Sequence, residues 1–225
     1  MSAVSAESLP RRLTFGATDC RHPMIHPHTE LRKVSDDIGH GVFATALIPK
    51  GTMVYVKDEL ELEFHPGDRR IADPRYADIV ETYAYLDPRG VRILSWDNAR
   101  YVNHCCEPNT MSTGYNFEVA LRDIQPGEQI TDEYGLFNLA WELRCCCGAP
   151  GCRGIVHPDD ADNLADQWDV QLKDALSTYL NVHQPLLPCM DLQTRRSVMR
   201  YVKTGKGYRS CRALRFRHDA LAISA

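Results

Sequence analysis

Arg100-Tyr101-Val102-Asn103-His104-Cys105-Cys106-Glu107-Pro108-Asn109 sets an amide, an imidazole and two adjacent thiols ahead of a proline-fixed turn. An Asn-His pair alone reads as a structural hydrogen-bonding corner. Its meaning comes from what stands on either side. Upstream lies Ser35-Asp36-Asp37-Ile38-Gly39-His40-Gly41-Val42-Phe43-Ala44, where two glycines flank one histidine. Such a pair lets a backbone approach a ligand closely or adopt positive φ; alone it is a turn between strands. Downstream, Gly127-Glu128-Gln129-Ile130-Thr131-Asp132-Glu133-Tyr134-Gly135 ends a β-type run on a tyrosine among acids. Beyond it, Cys145, Cys146, Cys147 and Cys152 fall within eight residues, and the chain has 9 cysteines in all. An odd count, clustered as C-x-C-x4-C, suits a thiolate metal loop in a reducing compartment better than a secreted disulfide scaffold. Adjacent cysteines such as Cys105 and Cys106 rarely bridge each other.

In this order and at these distances, the four segments resemble the SET-domain protein lysine methyltransferases. Gly39-His40-Gly41 is similar to the family's first cofactor motif. Arg100 to Asn109 is similar to its R-[FY]-[IV]-N-H-S-C-x-P-N motif, with Cys105 in place of the serine. Glu128 to Tyr134 resembles its E-L-T-Y-D-Y motif, and Cys145 to Gly154 its post-SET loop. The likeness covers roughly residues 30 to 155. It implies a mostly β fold with some α: small curved β-sheets with a pseudoknot, which packs the Asn103 segment against the segment ending at Tyr134. It further implies S-adenosylmethionine as methyl donor, bound on the face opposite a protein substrate whose lysine enters through a narrow channel. Gly39, His40, Gly41, Asn103, His104 and Tyr134 would hold the cofactor, and Tyr134 would be the catalytic residue.

The residue types suit that chemistry. Methyl transfer from a sulfonium to an amine is a direct displacement, needing alignment, a neutral nitrogen and oxygens around the methyl. No protein nucleophile is required, and the sequence offers no other catalytic constellation. Asp132 and Glu133 would add negative potential near the lysine entrance, or else stand as surface carboxylates at a strand end. A structural Zn²⁺ wants four tetrahedral ligands. Cys145, Cys147 and Cys152 provide three, and the resemblance supplies Cys106 as the fourth. Cys105 and Cys146 are surplus, and each neighbours a predicted ligand, so a swap is open. Cys20, Cys189 and Cys211 read as ordinary buried or free thiols. Two departures matter: Asp132 stands where many members have Phe or Tyr, which leaves the number of methyl groups added open. No cysteine-rich region precedes the core either, so a three-zinc pre-SET cluster is not expected.

Around these motifs the chain divides by texture. Residues 1–29 are polar, with Pro10, Pro23 and Pro27, and read as a mobile arm whose His22, His26 and His28 lack thiolate company. Residues 30–137 form the expected SET domain, with strands at Val42–Thr45, Thr52–Val56, Val91–Trp96 and Phe117–Arg122. Within it, residues 58–90 are an acidic insert, where Tyr76, Ile79, Val80, Tyr83 and Leu86 recur at helical spacing. Residues 138–156 are the zinc loop and 157–225 a helical extension. There Leu164, Trp168, Leu172, Leu176 and Leu180 mark an amphipathic helix behind a run of Asp fit to cap it. A second helix spans about 191–204 and leads into a basic tail.

Composition frames the rest. The 225 residues are 44% hydrophobic and 25% charged, with formal charge −4, ordinary for a globular chain that needs no disulfides for its core. The average hides segregation: Asp159 to Asp174 holds six Asp, whereas Leu192 to His218 holds nine Arg or Lys and no acid. Such runs read first as solvated helix faces; the basic tail is also a candidate contact for nucleic acid. No apolar run approaches the roughly 18 residues of a membrane span, and Met1–Phe15 lacks a signal peptide's apolar core. The expectation is an intracellular protein of cytoplasm or nucleus with no membrane partner. The rival to an enzyme is a catalytically silent SET module acting as a zinc-stabilised binding platform. Keeping the whole cofactor set together with Tyr134 speaks against it.

Overall fold

A computed structural model describes residues 24–216. The arm before Met24, including Cys20 and His22, lies outside the described residues. The arm's expected end packs into the fold: Met24, Ile25 and His26 are all buried. Ile25 bridges Tyr55, its N–H donates to Asp97 Oδ2 at 3.0 Å, and His26 N–H donates to the Val54 carbonyl at 2.7 Å. Flanking prolines hide a short apolar strand that has a sheet edge to pair with.

Small sheets follow, as expected. β1 (Thr29–Ser35) and β2 (Gly39–Ala44) form a hairpin. β3 (Met53–Val56) leads into β4 (Leu62–Phe64), α1 (Ala77–Tyr83), β5 (Ala84–Leu86) and β6 (Arg92–Leu94). β4, β6 and β5 make one antiparallel sheet, on which α1 packs Val80 against Phe64 and Leu94. Leu86, read as part of that helix, belongs to β5 instead. β7 (Asn103–His104), β8 (Thr110–Ser112), β9 (Phe117–Ala120) and β10 (Thr131–Asp132) complete the domain. β3, β9 and β8 form the central sheet; β10 pairs parallel with β7, setting Thr131 against Asn103 and Asp132 against His104. β11 (Leu143–Arg144) and β12 (Ile155–Val156) close the cysteine loop.

α2 (Asp160–Asn163), α3 (Ala165–Ser177) and α4 (Leu192–Thr204) form the extension. Trp168, Leu172, Ala175 and Leu176 of α3 share one core with Met53, Met111, Phe117 and Val119 of the central sheet. The helices therefore complete the principal core. α3 stops at Ser177, before the expected Leu180, which is exposed. There the helix meets the Lys50–Gly51 turn, and Thr178 Oγ1 lies 2.9 Å from the Lys50 carbonyl and 2.8 Å from that of Ala175. The expected Asp cap is also missing, since neither Asp159 nor Leu164 makes a side-chain cap. α4 is capped by Asp191, whose Oδ1 accepts from Gln193 and Thr194 N–H at 2.9 Å each.

The segregated charges meet within the fold. Arg212 pairs with Asp166 at 3.0 Å, and Arg215 with Asp162 at 3.2 Å and Asp159 at 3.5 Å. Buried Asp169 accepts from Tyr208 Oη at 2.7 Å and Cys211 N–H at 3.0 Å. Part of the basic tail thus finds its acidic partner inside the chain. Cys211 is a free buried thiol as expected, whereas Cys189 is disulfide-bonded. No helix among the described residues is long and apolar enough to cross a membrane.

Leu172 is fully buried between α3 and the sheet. Leu172→Ala should therefore cost about 3 kcal/mol, read from the urea midpoint with the slope unchanged. A loss below 1 kcal/mol would mean that α3 is not part of the cooperative core.

Candidate active site and cysteine cluster

The parallel pairing of β7 with β10 brings together residues about thirty positions apart. Asn109 locks the arrangement: its Nδ2 donates to the Gln129 carbonyl at 2.8 Å, and its Oδ1 accepts Thr131 N–H at 2.9 Å. The motif alone assigns Asn109 no role; in the fold it is a buried amide closing a loop on a strand. From β7, Asn103 Nδ2 donates to the His40 carbonyl at 3.0 Å, joining the Gly39–Gly41 edge to this strand. Gly39 has φ +80°, and a Cβ on Gly41 would lie 2.6 Å from Gln129 Oε1 and 2.8 Å from Val34. Both positions thus require glycine, one for its conformation and one for space.

Tyr134 follows β10. Its hydroxyl donates to the Val102 carbonyl at 2.7 Å, and its ring packs against His104 and Phe137. Burial, then the charges of Asp132 and Glu118, holds the phenol well above its ordinary range, so it stays protonated. His104 is held internally: Nδ1 lies 3.2 Å from Tyr134 N and 3.1 Å from the Asp132 carbonyl, and Nε2 lies 3.4 Å from Cys106 Sγ. Burial, then the Arg153 charge, lowers its pKa to about 4, so the ring is neutral at pH 7. Its imidazole supports Tyr134 and has neither nitrogen left for a ligand.

A cavity of about 550 Å³ opens beside Tyr134. Tyr55, Tyr85, Phe137 and Trp141 supply aromatic wall, Glu118 and Asp132 supply carboxylates, and Arg209 and Leu214 contribute from the extension. Asn138 ties these parts together, donating to the Leu86 and Leu214 carbonyls at 2.8 Å each. Val102 and Tyr134 line the cavity, but Gly39, His40, Gly41 and Asn103 do not. The glycine edge thus stays outside the cavity lining, and Asn103, next in the chain to Val102, connects the two.

Neither Asp132 nor Glu133 is a surface carboxylate, since both have 0% exposure. They also part company: Asp132 lines the cavity, and Glu133 does not. Glu133 Oε1 instead accepts from Arg153 Nη2 at 2.7 Å and Gly135 N–H at 2.8 Å. Arg153, directly after Cys152, thereby ties the cysteine loop to the strand that carries Tyr134.

Sγ atoms of Cys106, Cys145, Cys147 and Cys152 all lie within 4.8 Å of one another. Cys106 and Cys152 stand 3.7 and 3.8 Å from Cys145. Tetrahedral Zn–S bonds near 2.3 Å place sulfurs roughly 3.8 Å apart, so the spacing fits such an ion. Backbone N–H groups support the set, Arg153 N on Cys106 Sγ at 3.3 Å and Cys106 N on Cys147 Sγ at 3.5 Å. Cys105 and Cys146 fall outside the group, as do His26 and His28.

Residues 39–135 match the family model described as SET domain. The chain contains a SET domain. Its curated relatives include the H3 lysine-4 specific histone-lysine N-methyltransferase of Debaryomyces hansenii, 39% identical over 69 residues, which are 26% of this chain and 6% of that protein. The corresponding Schizosaccharomyces pombe enzyme is 30% identical over 134 residues, 52% of this chain and 14% of that one. Histone-lysine N-methyltransferase ash1 of Drosophila melanogaster is 32% identical over 157 residues, covering 61% and 7%. The chain thus matches only a small part of each relative's length. Among solved structures, the methyltransferase domain of human SETMAR is similar with a TM-score of 0.42 and 22% identity, over 59% of this chain and 58% of that one.

Proposed function

We propose that the protein is an S-adenosylmethionine-dependent methyltransferase acting on a lysine side-chain amine of a histone or other basic protein, with Zn²⁺ held by Cys106, Cys145, Cys147 and Cys152. The observation that carries this reading is the junction at Val102 and Asn103. Val102 and Tyr134 line an aromatic and acidic cavity, and Asn103, the next residue, holds the His40 carbonyl of the Gly39–Gly41 edge. The SET domain and the names of its relatives, histone-lysine methyltransferases, agree.

S-adenosylmethionine, when bound, supplies an electrophilic sulfonium methyl. The chain's own residues fit its polar portion. Among the described residues Asn103 Oδ1 has no partner, because only Nδ2 is spent on His40, and the buried Gln129 Oε1 beside Gly41 is likewise unpartnered. Two acceptors suit an ammonium. Tyr134, donating to Val102, keeps its lone pairs for the substrate's N–H or a polarised C–H, which orients the pair for displacement. The cavity's aromatic wall excludes water and packs the methylenes of a lysine. Zinc would take no part in the chemistry; it would fix the loop whose Arg153 holds Glu133.

Asn103→Ala should weaken S-adenosylhomocysteine about tenfold by calorimetry, the worth of a hydrogen bond to a charged group. Core histones and a cell lysate incubated with labelled cofactor and wild-type protein should take label on lysine. Absence of both cofactor binding and label would return the protein to a silent platform.

A further inference from the structure

Glu118 and Asp132 are buried carboxylates in one cavity, at 8% and 0% exposure. Asp132 Oδ1 accepts the Glu133 N–H at 2.7 Å, but neither Asp132 Oδ2 nor Glu118 Oε2 meets a donor. Among the described residues, no Lys, Arg or His forms an ion pair with either. Five cations line the cavity: Lys57 pairs with Glu63, Arg89 with Asp87 and Glu63, Arg100 lies over the Tyr101 ring and Arg209 over the Tyr115 ring, and Arg92 is the fifth. Burial first, and then the charge of Asp132, raises Glu118 well above the carboxylate range; burial chiefly raises Asp132. Both charges are also felt by the Tyr134 phenol.

Hydrogen-bonded to each other, the two acids share one proton. The single negative charge left on the buried pair has no ion-pair partner among the described residues; a core optimised for packing would fill such positions with apolar side chains. What would compensate that charge is a cation entering the cavity. The aromatic wall fits the stem of an alkylammonium and the carboxylates fit its head. Resting on the reading proposed above, we propose that Glu118 and Asp132 together receive the substrate amine, drawing lysine in as its ammonium ion and taking the proton that must leave before nitrogen can attack. One N–H bond breaks, its electron pair stays on nitrogen, and the proton passes to a carboxylate oxygen. That lone pair then forms the N–C bond as the methyl's S–C bond breaks, its pair remaining on sulfur. The product leaves as a methylammonium, and the carboxylate returns its proton to solvent, one proton per methyl group. A quaternary trimethyl-lysine has no proton to give, so the pair favours amines that still carry an N–H.

Two measurements on the full chain test this. The first uses n-butylammonium chloride, a lysine side chain without its backbone, against n-butanol, followed by NMR titration. Wild type should prefer the ammonium at least tenfold, and the Glu118→Gln/Asp132→Asn double variant should lose that preference. Both isosteric variants should also melt a few degrees higher, because a buried charge is removed; a merely structural pair would melt lower. The second is methyl transfer to core histones: kcat should fall roughly 10²-fold in either single variant, with S-adenosylhomocysteine affinity unchanged. Equal affinity for ammonium and alcohol, or full kcat in the double variant, would overturn the inference alone. A wild type that binds butylammonium through the pair yet labels no protein would overturn the methyltransferase reading and leave the cation site standing.

Discussion

Tyr134→Phe is expected to lower methyl transfer by about 10²-fold or more, while S-adenosylhomocysteine affinity stays within threefold. The phenol belongs to the cavity lining and donates to the Val102 carbonyl at 2.7 Å. In that posture its oxygen can accept from the amine or the transferring methyl only when both are aligned, so the interaction is worth most in the transition state. Phenylalanine keeps the ring packing against His104 and Phe137. It leaves the Val102 carbonyl unpaired, at a cost of roughly 1 kcal/mol in stability, which a thermal melt separates from the catalytic effect. The cofactor side should hardly notice, because among the described residues the phenol's hydrogen bond runs to Val102 and not to Gly39, Gly41 or Asn103. Single-turnover rates with saturating cofactor decide the matter; a variant within threefold of wild type would remove Tyr134 from the chemistry.

The motif residues were legible because they are chemically unusual strings placed close in sequence. Asn103 and Tyr134 needed no tertiary information to be singled out, and that their segments pack together followed from the resemblance they carried; the parallel pairing of β7 with β10 is what the structure adds. Cys106 was legible for the same reason despite lying 39 residues from Cys145. Glu118 was not. It sits in Phe117-Glu118-Val119-Ala120, where one acid among apolar residues reads as the solvent side of a half-buried strand. All four residues are in fact buried, because β9 is central, with α3 packing on the core it shares and the cavity beside it. For Asp132 and Glu133, of the two alternatives the sequence left open, the surface reading fails, since a strand end looks exposed until a partner loop covers it. Arg153 is that cover, and its sequence position after Cys152 gives no hint that its guanidinium reaches Glu133. Charge segregation between Asp159–Asp174 and the basic tail was visible, yet only the fold shows that the two runs meet at Arg212 and Arg215.

Chelation is expected to abolish methyl transfer while most secondary structure survives, since the metal governs a peripheral loop. β11 and β12 have only two residues each, and the segment between them contributes no residue to the buried core clusters. Little besides the four sulfurs can hold it. A structural zinc supplies folding free energy directly to the segment that binds it. Without it, the support of Arg153 N–H on Cys106 is lost, the Arg153–Glu133 pair at 2.7 Å loosens, and a fully buried carboxylate beside Tyr134 loses the guanidinium that pairs with it. Leaving such a charge unpaired is strongly destabilising locally, so the effect reaches the active strand although no ligand touches substrate. Metal analysis of wild type should give about one zinc per chain. Cys106→Ser should lose it as readily as Cys147→Ser, with activity falling by 10²-fold or more and the far-ultraviolet circular dichroism little changed. Cys105→Ser and Cys146→Ser should keep their zinc, because neither sulfur belongs to the cluster. If Cys105→Ser loses metal and Cys106→Ser retains it, the ligand set shifts by one residue. A wild type prepared with zinc under reducing conditions that contains none would end the metal assignment, and methylation that survives chelation would end the coupling through Arg153.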